Sequence, residues 1–114
     1  MTLSIGIDLI SATILAGQSL SSEADLGAKT LVGIVMPAAW TAASLTFQVS
    51  FDSGATWLDY VAAISPLTVA AGQYLALDPA FWRGVNAVKL RSGPSGAPVN
   101  QVAQAVLQLV VRAV

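Results

Sequence analysis

Between residues 46 and 61 the chain alternates, breaks and resumes, and no other stretch restricts its fold as strongly. Phe47, Val49 and Phe51 alternate with Thr46, Gln48 and Ser50. That period of two is the mark of a half-buried strand, with aromatic and β-branched side chains on one face. Asp52-Ser53-Gly54 then interrupts the run. Gly54 adopts positive φ at little steric cost, and Asp52 is suited to turn its carboxylate back onto backbone N–H groups just ahead. From Thr56 to Val61 the composition is extended again. The expectation is two strands joined by a tight turn, with Trp57 folded over it. Two faces compete in the second strand, Trp57 with Val61 against Leu58 with Tyr60.

The same reading extends along the chain. Leu3, Ile5, Ile7 and Leu9 alternate with small or polar residues and predict a first strand, followed by a short extended piece over 11–15. Residues 19–26 read as an edge strand or loop. Residues 30–36 read as a buried strand stopped by Pro37. Residues 67–69 and 74–77 flank Ala70-Ala71-Gly72-Gln73 and predict a second hairpin. Asp78 as N-cap with Pro79 behind it predicts a short helical turn near 79–83. Residues 85–91 form another strand, and 92–98 a loop rich in Gly and Pro. In the tail, Ala105, Leu107, Leu109 and Val111 alternate with Val106, Gln108, Val110 and Arg112, which favours a strand over a helix. About eight strands at these spacings predict an all-β, antiparallel sandwich of jelly-roll type, one domain over 1–114.

Composition narrows what such a sandwich is for. Only 10% of residues are charged while 55% are hydrophobic, against about a quarter and about 45–50% in ordinary soluble domains. The longest apolar stretch, 31–40, contains Gly33 and Pro37 and falls short of the about 20 residues of a spanning helix. A charge-poor chain that does not span a membrane points to a surface partly covered by other subunits. Residues 1–78 hold six acids and one base, and 79–114 hold four bases and no acid. A molecule of two signs would favour head-to-tail or side-by-side contacts between copies. Four unclustered bases make no nucleic-acid footprint. The N-terminal stretch has no Lys or Arg and Asp8 breaks its apolar run, so cytoplasmic synthesis without a signal peptide is expected.

No histidine or cysteine is present, which removes the common triads, zinc sites and haem ligands. Glu23 and Asp25 are the nearest thing to a catalytic carboxylate pair, in a Ser-rich segment. No catalytic, metal or cofactor residue is expected. Trp40 and Trp82 sit beside loops. With Phe81 and Arg83 they are the candidate subunit or ligand contacts, because aromatic and Arg side chains dominate interfaces.

Residues 50–57, Ser-Phe-Asp-Ser-Gly-Ala-Thr-Trp, resemble the Asp-box, a hairpin motif of sialidases and other β-proteins. In those families it is a structural element and recurs in propellers. A single copy implies a turn built by Asp52, Gly54 and Trp57, not a propeller. Three longer stretches, 17–21 (GQSLS), 31–57 and 89–101 (KLRSGPSGAPVNQ), resemble small structural proteins of tailed phages and prophages. That resemblance implies a virion component made in the host cytoplasm, most simply a capsid decoration (cement) protein. Its partners would be the major capsid protein or other virion proteins, and copies of itself, a trimer among the expected forms. The alternative is a carbohydrate-binding module, or a fibre, tail or baseplate component contacting the host surface.

Overall fold

The computed structural model describes residues 7–61 and 66–113. Leu3 and Ile5 of the expected first strand lie outside them. Eight strands are present: β1 (Ile7–Ile14), β2 (Ala24–Asp25), β3 (Lys29–Val35), β4 (Leu45–Ser50), β5 (Leu58–Asp59), β6 (Tyr74–Ala76), β7 (Ala87–Ser92) and β8 (Ala105–Ala113). One 3-10 turn, Pro79–Trp82, is capped by the Asp78 carboxylate accepting from the Ala80 N–H. Two four-stranded sheets, β1-β8-β3-β6 and β2-β7-β4-β5, form the sandwich, and every pairing is antiparallel.

The pairs nest. β1 lies beside β8, β2 beside β7, β3 beside β6 and β4 beside β5. This is a long two-stranded ribbon doubled back once and rolled up, the jelly-roll arrangement. The doubling back falls between β4 and β5, at Asp52-Ser53-Gly54. The turn that the sequence marks most clearly is thus the reversal point of the whole chain.

Alternation decides which side chains meet between the sheets. Ala105, Leu107, Leu109 and Val111 of β8 are fully buried, as are Leu45 and Phe47 of β4 and Val88 and Leu90 of β7. Ala12, Ile14, Leu31 and Ile34 complete the first sheet's inner face. The tail is therefore a strand, as its period of two predicts.

Three expectations change. The first strand continues through Ile14 instead of dividing, and its apolar odd positions point outward. Register pairs Leu9 with Val110 and Ala12 with Leu107, so Ala12 and Ile14 take the core. Phe51, expected beside Phe47 and Val49, is exposed, because β4 ends at Ser50 and the turn begins there. The segment 67–77 is a corner, not a hairpin. Its turn forms, with the Gln73 N–H 3.4 Å from the Ala70 carbonyl, but the arms diverge. Leu67 bridges to Leu45 in one sheet while β6 pairs with β3 in the other.

Connections collect at two ends. Segments 15–19, 36–44, 66–73 and 93–104 share one end, where Gln101 ties the first, second and last of them together. Its carbonyl accepts from the Gly17 N–H at 2.7 Å. Its side chain accepts from the Thr41 N–H at 2.7 Å and donates to Ser92 Oγ at 2.7 Å. Segments 26–28, 51–57 and 77–86 share the other end.

Candidate interaction surfaces

The reversal turn is built from its own side chains. Ser50 Oγ donates to Asp52 Oδ1 at 2.8 Å and accepts from the Gly54 N–H at 2.8 Å. Asp52 Oδ1 also accepts from the Thr56 N–H at 2.8 Å. These bonds favour the ionised carboxylate, so the Ser50 hydroxyl first and the Thr56 amide next hold Asp52 below the usual carboxylate range. Gly54 has φ +91°, which favours glycine, and the exposed Glu23 carboxylate rests where a Cβ would stand. Asn86 locks the turn to 77–86. Its Oδ1 accepts from the Ser53 N–H at 3.0 Å, and its Nδ2 donates to Ser53 Oγ at 3.1 Å. Asp52 and Gly54 thus have the turn-forming role expected of them.

Trp57 is engaged by Lys89 of β7. It lies along the outer face of the second sheet, where Lys89 Nζ sits 4.6 Å from its ring centre. In β5 the inward face is that of Leu58 and Tyr60, since Leu58 opposes Val49 and Asp59 opposes Gln48. Tyr60 packs on the core, and that burial raises its pKa.

The four expected contact residues separate. Trp82 is fully buried, against its expected role as an exposed anchor. It stacks on Tyr60 at 4.5 Å between ring centres and meets Phe47 edge-on at 4.9 Å. The 3-10 turn explains this, because it aims successive side chains apart, with Trp82 inward and Phe81 48% exposed. Arg83, just beyond, is exposed, so Phe81 and Arg83 stand at the end that carries the Asp52 turn. Trp40 lies at the opposite end, half-buried, its Nε1 donating to the Ala43 carbonyl at 3.4 Å. Glu23 and Asp25 also have separate settings, Glu23 against Gly54 and Asp25 accepting from the Gly27 N–H at 2.9 Å.

The two outer sheet faces differ sharply. On the first sheet, registered rows read Leu9–Val110–Gly33–Ala76 and Ser11–Gln108–Val35–Tyr74. Ile7, Leu9, Val35 and Tyr74 are all exposed there, Leu9 by 63%. Tyr74 lies across Gly33, and a Cβ at Gly33 would collide with its ring. Among the described residues of these strands, Arg112 is the one charged side chain on this face. On the second sheet the rows read Thr46–Arg91 and Asp59–Gln48–Lys89. Arg91, only 7% exposed, donates from Nε to Thr46 Oγ1 at 2.9 Å and from Nη1 to Asp59 Oδ1 at 3.0 Å.

The charge halves of the sequence do not survive as poles. The doubled ribbon lays β8 against β1 and pairs Arg91 of one half with Asp59 of the other. The exposed apolar face is the surface that sequence reasoning missed. Its signal was Val106 and Val110 in β8, which make that strand apolar on both sides. Comparison with protein-family models, characterised proteins and solved structures gives no match to this chain.

Proposed function

We propose that this chain is a non-enzymatic structural subunit of a tailed-phage virion, acting as a capsid decoration protein that binds the shell and stabilises it. The observation that carries the reading is the apolar, nearly uncharged outer face of β1-β8-β3-β6. Monomeric proteins rarely leave contiguous apolar patches open without an interaction purpose. Jelly rolls recur in viral capsid proteins, which supports the reading by fold analogy alone. Docking of this face buries apolar area at about 25 cal/mol per Å². Many copies on one lattice then add their modest contacts through avidity. A sugar-binding reading needs flat exposed rings, and Trp82 is withdrawn into the core.

The test is reconstitution. Purified protein is mixed with shells lacking it and sedimented, alongside a Val110→Glu variant. Saturable co-sedimentation that the variant loses, with its melting temperature unchanged, supports the reading. Failure of the wild-type protein to bind shells, or equal binding by Val110→Glu, overturns it. Binding to isolated tails in place of shells would move the subunit to the fibre or baseplate.

A further inference from the structure

We infer that the open edge of β1 pairs with the same edge of a second copy, antiparallel about Leu9, joining two first sheets into one continuous sheet. The inference does not depend on the particle reading, since it concerns only how the chain meets itself.

Hydrogen-bond parity shows which backbone groups of β1 point away from β8. On the side away from β8, the Thr13 carbonyl accepts from the Ser22 N–H at 2.9 Å, and the Thr13 N–H donates to Ser22 Oγ at 3.1 Å. Thr13 therefore faces away from β8, and in an antiparallel ladder so do residues at steps of two. Register is unbroken from Ile7 to Ile14, so Ile7, Leu9 and Ser11 also point their N–H and C=O groups outward. Ser22 closes the upper end of this edge. Below it, residues 8–10 border an open groove of about 760 Å³ whose far wall is 25–29.

Among the described residues this edge has no Pro, no Lys and no bulge, its one charged side chain is Asp8, already paired with Lys29, and β1 is eight residues long. The other edge strands are shorter: β2 and β5 have two residues each and β6 has three.

The occupant is fixed by self-complementarity. Centring on Leu9 sets Leu9 opposite Leu9 and Ile7 opposite Ser11, each a hydrogen-bonded pair. Asp8 then opposes Ile10, so no like charges meet, and Asp8 is already paired with Lys29 of its own chain. The Leu9 side chains join the outer apolar faces of the two copies into one surface twice as wide.

The chain has no cysteine, so single cysteines report the register cleanly. A hydrogen-bonded pair sets Cα atoms about 5.5 Å apart, within disulfide reach. Leu9→Cys under mild oxidation should give covalent dimer, whereas Ser11→Cys and Gln48→Cys should not. Sedimentation of the cysteine-free protein should show a dimer. Leu9→Pro should dissociate it at least tenfold more readily without loss of β-sheet signal, because the N–H removed is unused within the monomer. A monomer at all concentrations overturns the proposal. So does a dimer cross-linked by Gln48→Cys or Ser11→Cys but not by Leu9→Cys.

Discussion

The outer faces of the two sheets are made by the same alternation and end in opposite surfaces. On β2-β7-β4-β5 the outward positions hold Thr46, Gln48, Asp59, Lys89 and Arg91, of which Arg91 bonds to Thr46 and Asp59 and Lys89 lies over the Trp57 ring. On β1-β8-β3-β6 they hold Leu9, Val35 and Tyr74, which are exposed, and Val106 and Val110, which are half-buried. Inner faces are apolar in both sheets because both line one core. The outer faces are free to differ, so their composition reports function more directly than the core does. The second face is finished by its own polar contacts. The first is left apolar by the subunit itself, and the proposed function has a neighbour finish it.

That contrast breaks or sharpens under substitution. The largest effect on stability should come from Arg91 and not from Arg112. Arg91→Ala loses a buried stem, the Thr46 hydroxyl bond and the Asp59 pair, and should cost about 2 kcal/mol in urea unfolding. The Asp59 contribution to that figure is small, because its carboxylate is half-exposed and screened by solvent. Arg112→Ala on the apolar face should stay within about 0.5 kcal/mol. Association should show the reverse pattern. Val35→Glu should weaken shell binding at least about tenfold, or about 1.4 kcal/mol, while Lys89→Glu should leave it unchanged. If Lys89→Glu is the damaging variant, the two faces have been assigned the wrong way round. A smaller effect is the coupling between Trp57 and Lys89. A double-mutant cycle of Trp57→Ala and Lys89→Ala should return about 0.5–1 kcal/mol of attraction.

The smallest effect concerns the reversal turn. Asp52 has its folded-state pKa depressed, so its contribution to stability is fully present above the unfolded-state value of about 3.9. It is lost as pH falls through the lower folded-state value. The melting-temperature gap between wild type and Asp52→Ala should therefore be constant from neutral pH to about pH 5 and should narrow below about pH 4. A gap that persists undiminished well into the acid range would mean that Asp52 acts without its charge.

How much of this was legible depended on what each residue's position required. Local requirements were written plainly. Gly54 must take positive φ, Asp52 must accept from amides ahead of it, and Asp78-Pro79 must start a helical turn. The alternation of Ala105, Leu107, Leu109 and Val111 identified a strand even beside the competing helical spacing. Two-state ambiguities were not legible. Ile7 and Leu9 alternate as well as any buried pair, and only the register against Val110 and Arg112 turns them outward. Trp82 looked available beside a loop, yet the direction of a 3-10 turn sends it into the core between Phe47 and Tyr60. The arms beside Gly72 looked like a hairpin because turn chemistry carries no information about which sheet each arm joins. The segregated charges misled for a related reason, since a doubled ribbon sets distant halves of the sequence side by side.

The central claim is that the first sheet's outer face is completed by a particle. Quantitative mass spectrometry of density-purified virions tests it most directly. The account predicts this chain at a fixed copy number per particle, in constant ratio to the major shell protein and retained through repeated purification. Absence from the particles, or a trace amount that washes away, would contradict it.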